Sequence, residues 1–294
     1  MSSSREFVLT LSCRDSKGIV YAVSGLLYEA GCNILDSQQF GDVASAHSTG
    51  LFFMRVHFET PEDVIDAAPI EALLDPLRAR FGMEAQIHAL ARKPRLLLMV
   101  SKFGHCLNDL LFRWQSGQLN VDIAGVVSNH PDFADLCASY RIPFHHLPLA
   151  AGASAEAKRA QEQQVERMVD AEQIDLVVLA RYMQILSPEF CAFLKGRAIN
   201  IHHSFLPSFK GAKPYFQAHD RGVKLIGATA HYVTAELDEG PIIEQDVERV
   251  DHSLTAEDFT AVGRDVESVV LARAVRWHVE HRVLLNGRKT VVFR

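Results

Sequence analysis

The sequence of 294 residues contains no hydrophobic run long enough to span a bilayer, and its Lys and Arg residues form no extended basic cluster. The longest apolar runs, "RLLLMV" and "IDLVVLA", have the length of buried strands. The stretch "MSSSREFVLTLSC" lacks the basic and apolar regions of a secretory signal. These absences argue against membrane association and secretion, and we expect a cytoplasmic protein.

Cysteine is also scarce. The five cysteines are an odd number without a Cys-x-x-Cys pair, so reduced thiols are expected rather than disulfides or a zinc ribbon. A net charge of −6 disfavours nucleic acid as a partner. Gly-x-Gly-x-x-Gly, Gly-x-x-x-x-Gly-Lys, His-Glu-x-x-His and Gly-x-Ser-x-Gly are all absent. The sequence therefore predicts no dinucleotide, P-loop nucleotide or metal cofactor, and no serine hydrolase.

Residues 1–91 show the periodicity of a small domain. "EFVLTLSC" alternates like a strand, apolar residues over 19–30 recur at helical spacing, and "NILDSQQF" and "GLFFMRVHFE" are typical of two further strands. A helix over 62–82, interrupted at Pro69 and Pro76, and the strand "MEAQIHAL" complete the pattern. The order β-α-β-β-α-β predicts a ferredoxin-like domain.

The pattern changes near Pro94, and residues 92–294 alternate apolar strands with amphipathic helices. This alternation predicts a mostly parallel sheet covered on both faces. Towards the end, "LIGATAHYV" and "PIIEQDVERV" predict a hairpin, and a valine-rich stripe predicts a long helix over 255–285. We therefore predict an α/β protein with two domains, 1–91 and 92–294.

A candidate site lies in "NIHHSFLPSFKG" (200–211), which follows a strand-like run. Residues two apart on a strand share a face, so Asn200 and His202 are expected to converge, with His203 on the opposite face as a packing residue. An amide beside an imidazole suits a carbonyl that becomes tetrahedral. Taken alone, however, the two residues are better explained as satisfied polar groups at a strand end.

Asp238 is a third candidate, in the polar turn that precedes Gly240-Pro241. A carboxylate delivered there could orient an imidazole or take a proton from water. By spacing alone, an ordinary turn residue is the simpler explanation.

The stretches "AINIHHSFLPSFKGAKPY" and "GATAHYVTAELDEGPIIEQDV" resemble the folate-dependent formyltransferase family, which includes phosphoribosylglycinamide formyltransferase. The resemblance spans residues 95–285 and is carried by Asn-x-His-x-Ser-x-Leu-Pro followed by Leu-Asp-x-Gly-Pro-Ile. It implies that Asn200, His202 and Asp238 are catalytic. It also implies a folate pocket formed by Arg181, Tyr182, Met183, Gln184, Ile185, Leu186, Val233 and Thr234, continuing to Asp238.

The stretch "DSKGIVYAVSGLLYEAGCNI" resembles an ACT domain. An ACT domain followed by a formyltransferase half is similar to the 10-formyltetrahydrofolate deformylase family. This resemblance implies hydrolysis of the folate substrate to formate and tetrahydrofolate without a cofactor, supplying formate for purine biosynthesis and balancing the one-carbon pool. The ACT resemblance implies a homo-oligomer with an amino-acid effector near Asp15, Gly18 and Asn33.

The turn at residues 101–107 differs from the corresponding turn of the glycinamide-ribonucleotide enzymes in the family that the chain resembles. Those enzymes cradle phosphate with a Gly-x-Gly-Ser-Asn type turn, whereas this chain has bulkier residues and only Lys102 as a phosphate contact. Loss of the acceptor site would leave water as the nucleophile. Two alternatives stay open: an ACT-fused formyltransferase with an amine acceptor, such as phosphoribosylglycinamide formyltransferase, and a non-enzymatic folate-sensing protein. The roles of His203, His105 and Cys106 also stay open.

Overall fold

A computed structural model describes residues 5–61, 68–150, 152–206 and 214–294. The chain divides into two compact units, one of Met1–Lys93 with Glu280–Arg294 and one of Pro94–Val279. This division differs from the predicted boundary at residues 91 and 92 chiefly because the C-terminal segment joins the first unit. The domain assignment itself stays a prediction.

The first unit contains an antiparallel four-stranded sheet in the order β2-β3-β1-β4. Its elements are β1 (Glu6–Arg14), α1 (Ile19–Glu29), β2 (Asn33–Gly41), β3 (Leu51–Glu59), α2 (Ala68–Phe81) and β4 (Glu84–Ala89). Alternate residues of β1 and β3 pack with both helices in one apolar core, as the period-two pattern requires. The ferredoxin-like prediction is confirmed, although residues 62–67 of the predicted second helix lie outside the described residues.

The second unit contains a seven-stranded sheet in the order β11-β10-β9-β8-β5-β6-β7. Its elements are β5 (Arg95–Val100), α3 (His105–Gln115), β6 (Asp122–Ser128), α4 (Ala134–Ser139), β7 (Phe144–His146), α5 (Ala155–Ala171), β8 (Leu176–Leu179), α6 (Pro188–Phe193), β9 (Ala198–His202), α7 (Pro214–Asp220), β10 (Leu225–Tyr232), β11 (Ile242–Arg249) and α8 (Ala256–Val279). Strands β5 to β9 pair in parallel, whereas β10 pairs antiparallel with β9 and β11. The predicted mostly parallel sheet and its terminal hairpin are therefore confirmed.

The C-terminal segment corrects one prediction. The long helix ends at Val279 rather than near residue 285, and the hairpin β12 (Val283–Asn286) and β13 (Lys289–Val292) follows. The buried Arg55 donates to the backbone carbonyls of Glu280 and His281, so these carbonyls pair with a guanidinium instead of continuing the helix. His281 then adopts a left-handed backbone conformation, with φ of 54°.

The proposed effector residues do not converge within one copy of the first unit. Asp15 directly follows β1, and Gly18 starts α1 with φ of 95°. Asn33 pairs with Glu59, at the opposite end of the sheet from the Arg14–Leu51 pair. A nine-residue strand separates these ends by about 27 Å. An effector site that uses all three residues therefore needs a second copy of the chain.

Among the described residues, no helix combines the length and the apolar composition needed to cross a membrane.

Candidate active site

A cavity of about 690 Å³ opens in the second unit near the carboxyl ends of β8 and β9. Such edges are where open parallel sheets bind ligands. All the residues implied as catalytic or folate-binding line this cavity: Asn200, His202, Asp238, Arg181, Tyr182, Met183, Gln184, Ile185, Leu186, Val233 and Thr234. Their convergence agrees with the expected pocket, and their roles stay a prediction. Residues 207–211 of the first motif lie outside the described residues.

His202 and Asp238 form a hydrogen-bonded pair at the cavity wall. His202 ends β9 and is 4 % exposed, and its Nδ1 lies 3.2 Å from Asp238 Oδ2. An ionised carboxylate only accepts hydrogen bonds, so Nδ1–H is the donor. His202 Nε2 is buried and has no hydrogen-bond partner among the described residues. In the neutral ring this nitrogen carries the lone pair and is available as a base.

His231 is a site residue that the sequence analysis missed. It lies on β10 directly opposite Asn200 on β9, and it is 2 % exposed. Its Nδ1 donates to the Tyr232 carbonyl at 2.9 Å, while its Nε2 lies 3.3 Å from Asn200 Nδ2 and 3.6 Å from Asp238 Oδ1. The carbonyl places the proton on Nδ1, so neutral His231 accepts from Asn200. The sequence shows His231 within the strand-like stretch "GATAHYV", but only the pairing of β10 with β9 reveals that it lies opposite Asn200.

Asp238 occupies a constrained turn. Its φ of 56° is uncommon for a non-glycine residue, and such strain is frequent at functional sites. Gly240 permits the turn, because a Cβ there would overlap the backbone carbonyl of Tyr232. Burial raises the pKa of Asp238, but the hydrogen bond from His202 and the nearby imidazole of His231 outweigh that effect and lower the pKa below its ordinary value. The carboxylate therefore stays ionised beside the two imidazoles.

His203 corrects a second prediction. The strand ends at His202, so alternation stops there, and His203 lines the same cavity instead of facing away. Its ring packs edge-on against His202, with 5.1 Å between centroids, and against Tyr215 at 6.3 Å. Burial, reinforced by the charge of Arg181, lowers the pKa of His203 to about 4. His203 is therefore neutral at neutral pH.

The free energy of unfolding is expected to decrease as pH falls from 6.5 to about 4, partly because of His203. Below 6.5 the unfolded chain binds a proton at this ring, whereas the folded chain does not until about pH 4, so stability is full above that window and is lost within it. Urea unfolding at pH 7 and pH 5 measures the loss. The decrease in unfolding free energy should be smaller in His203→Asn than in the wild-type protein. It should be unchanged in the control His252→Asn, which replaces an exposed ring. Equal decreases in all three proteins would contradict a contribution from His203.

The turn at 101–107 forms another wall of the cavity. Ser101 Oγ accepts from the Met183 backbone N–H at 2.9 Å and donates to Asn129 at 2.6 Å. The Phe103 ring lies under the guanidinium groups of Arg181 and Arg264, at 5.6 and 5.5 Å. Lys102, considered from the sequence as a phosphate contact, is exposed and is not part of the cavity lining.

His105, Cys106 and Glu267 form the group of potential metal ligands found among the described residues, with ligand atoms within 4.8 Å of one another. His105 lines the cavity, whereas Cys106 is fully buried. Burial raises the pKa of Cys106 well above its ordinary value, so the thiol stays protonated. Arg181 lies 3.3 Å from Glu267, and its positive charge opposes a cation there. This donor set does not suit a metal ion.

The parallel sheet, its antiparallel end and the Asn-His-Asp cavity together define an α/β protein of the formyl transferase class. The family described as formyl transferase matches residues 94–275. The chain belongs to the formyltetrahydrofolate deformylase family, with relatives similar over the whole length.

Two relatives illustrate this similarity. The formyltetrahydrofolate deformylase of Corynebacterium sp. strain P-1 is 49 % identical over 100 % of both chains. The crystal structure of formyltetrahydrofolate deformylase from Burkholderia mallei is 54 % identical, with a TM-score of 0.91, and the match covers 99 % of this chain and 100 % of that one. By contrast, glycinamide ribonucleotide transformylase 1 of Symbiobacterium toebii is 30 % identical, covers 69 % of this chain and 95 % of its own, and has a TM-score of 0.64.

Proposed function

We propose that the protein hydrolyses 10-formyltetrahydrofolate to formate and tetrahydrofolate, and thereby supplies formate for purine biosynthesis and balances the one-carbon pool. The observation that carries the proposal is the His202–Asp238 pair, whose Nε2 lacks a partner among the described residues beside the Asn200 amide. Attack of water on a formyl group needs a base that takes a proton from the water and a donor that stabilises the oxyanion, and an oriented imidazole beside an amide supplies both. Names shared by full-length relatives support the same activity.

In the proposed binding mode, the pterin lies against residues 183–186 and 233–238, flanked by Arg181 and Tyr182. Apolar side chains are available in this region, since Met183 and Ile185 line the cavity and are 51 % and 62 % exposed. Planar aromatic ligands gain affinity by covering such side chains. The formyl carbon then lies near Asn200 and His202.

The reaction begins when His202 Nε2 accepts a proton from water, whose oxygen forms a bond to the formyl carbon. Asp238 holds the Nδ1–H tautomer and stabilises the imidazolium that results. Asn200 donates to the developing oxyanion, with its orientation held by His231. The imidazolium returns the proton to N10 as the C–N bond breaks, and formate and tetrahydrofolate are released.

The turn at 101–107 favours water over an amine as the acceptor. The bulky Phe103 ring, packed under two arginine side chains, stands where a glycine-rich turn would admit a phosphate. The chain also extends well beyond the part that matches the glycinamide ribonucleotide enzyme. Both observations favour the hydrolase over an ACT-fused formyltransferase.

The deciding experiment mixes the protein with 10-formyltetrahydrofolate in the absence of any amine. Formate and tetrahydrofolate are expected to appear in equal amounts over many turnovers. Formate release only after addition of glycinamide ribonucleotide would identify a formyltransferase instead. Binding without turnover would identify a folate-sensing protein.

The proposal includes several broader expectations. We infer a cytoplasmic homo-oligomer that needs no cofactor besides its folate substrate. An amino acid is the proposed effector, bound between two copies where Asp15 and Gly18 of one approach Asn33 of the other; this arrangement follows from the separation of these residues within one copy. Unchanged activity and assembly across the twenty amino acids would contradict it.

A further inference from the structure

A buried carboxylate outside the Asn-His-Asp group connects three segments of the cavity wall. Glu267 on α8 is 1 % exposed. Its Oε1 accepts from the Tyr215 hydroxyl at 2.7 Å, and its Oε2 accepts from His105 Nε2 at 2.8 Å and lies 3.3 Å from Arg181 Nε. All four side chains line the cavity, but they come from α3, α7, α8 and the segment after β8.

Glu267 is ionised in this environment. Burial raises its pKa, but the hydrogen bond from His105 and the charge of Arg181 outweigh burial and lower the pKa below its ordinary value. Burial and the same carboxylate raise the pKa of Tyr215, so its hydroxyl remains a donor. Glu267 therefore neutralises Arg181 within the cavity wall, and its loss would leave that buried guanidinium without its carboxylate.

Through Arg181, Glu267 is connected to residues 181–186, the segment that includes the proposed pterin contacts (the pterin segment). Arg181 has a left-handed backbone with φ of 66°, and it begins residues 181–186. The Ser101 N–H donates to the Arg181 carbonyl at 3.1 Å, and Ser101 Oγ accepts from the Met183 N–H. The segment is thus held through its backbone by Ser101 and through the Arg181 side chain by Glu267.

Through Tyr215 and then His203, Glu267 is connected to His202, the proposed base. The Tyr215 ring lies against Gly263, one helical turn before Glu267, where a Cβ would overlap the ring. Its edge packs on His203, and His203 in turn packs on His202. Glu267 thus contacts Arg181 on the side of the pterin segment and Tyr215 on the side of the two adjacent histidines.

We propose that Glu267 is a positioning residue for deformylation, which holds Arg181 against the pterin segment and Tyr215 against the paired histidines. The inference rests on the proposed function. It differs from the catalytic assignment because Glu267 has its donors within the protein and contacts no reacting atom.

The central test is Glu267→Gln. An amide cannot accept at both of its terminal atoms, so at least one of the three contacts is lost along with the charge. We expect kcat/KM to fall at least tenfold, chiefly through a higher KM. The acidic limb of the kcat/KM profile should also move lower, because removal of a buried negative charge disfavours protonation of the rings that line the cavity, beginning with His105 in direct contact. The charged groups and imidazoles that line the cavity together with His202 are Asp238, His203, His231, His105, Arg181, Arg264 and Glu267 itself.

Two further variants separate positioning from mere stability. Glu267→Asp keeps the charge and should return the acidic limb to its original position. Glu162→Gln alters another buried carboxylate, which accepts from Ser187 and pairs with Arg159 but does not line the cavity. This control should lower the Tm without moving the acidic limb.

Binding of tetrahydrofolate, measured by calorimetry, keeps the two proposals distinguishable. If the wild-type protein binds tetrahydrofolate but releases no formate, the proposed function fails, while an at least tenfold higher Kd in Glu267→Gln still supports positioning. If Glu267→Gln does not fold, Tyr215→Phe provides the test, since it retains the ring and loses one hydrogen bond; a twofold or greater rise in Kd is expected. Normal KM, Kd and pH profile in the folded variant would overturn the inference, even if its Tm fell.

Discussion

Replacing Asp238 with Asn is expected to lower kcat for formate release by about 10⁴-fold, the size of effect found when a histidine loses the carboxylate that selects its tautomer. The Asp238 carboxylate only accepts, so its contact with His202 holds the proton on Nδ1 and the lone pair on Nε2. An amide at position 238 can donate to Nδ1 and favour the opposite tautomer. In that tautomer Nε2 already carries a proton and cannot take one from water.

Formate release from 10-formyltetrahydrofolate without an amine measures this effect, and circular dichroism reports whether the variant is folded. Glu248→Gln is a matched control, because it neutralises an exposed carboxylate on β11 outside the cavity. The control should keep wild-type turnover. A folded Asp238→Asn variant within tenfold of wild-type turnover would exclude the proposed role of the carboxylate.

Replacing Asn200 with Ala is expected to lower kcat by 10²- to 10³-fold, the usual loss for one oxyanion donor, about 3 to 4 kcal/mol of transition-state stabilisation. One N–H of the Asn200 amide faces His231 Nε2 at 3.3 Å, which leaves the other N–H for the formyl oxygen. KM should change less than kcat, since the hydrogen bond strengthens as the oxygen gains charge.

Steady-state kinetics of the folded variant separate kcat from KM. Asn120→Ala removes an exposed amide outside the cavity and should leave both constants unchanged. An Asn200→Ala protein with near-normal turnover would show that the oxyanion is stabilised by another group. A pure rise in KM would instead assign Asn200 to substrate binding.

Several features of the fold could be predicted because they depend on short stretches of chain. Residue alternation identified strands of the first sheet, short apolar runs identified strands of the second, and two-residue spacing predicted that Asn200 and His202 converge, as their shared place in the cavity lining agrees. Only the face expected for His203 was wrong, because alternation holds only while the strand continues and β9 ends at His202. Its ring does pack against neighbouring rings, as expected. The C-terminal helix was predicted too long for a related reason: the contacts of Arg55 that accompany its end come from a distant strand.

The sequence by itself determined the two kinds of sheet and the order of their elements, because hydrophobic periodicity carries that information. The expected pocket residues came from the resemblance to the formyltransferase family. Only the tertiary structure decided which polar groups meet. The antiparallel pairing of β10 with β9 brings His231 to Asn200, and the packing of α8 brings Glu267 to Arg181 and Tyr215. These contacts join residues far apart in the chain, and they determine the group that His231 Nε2 faces and the charge balance of the cavity wall.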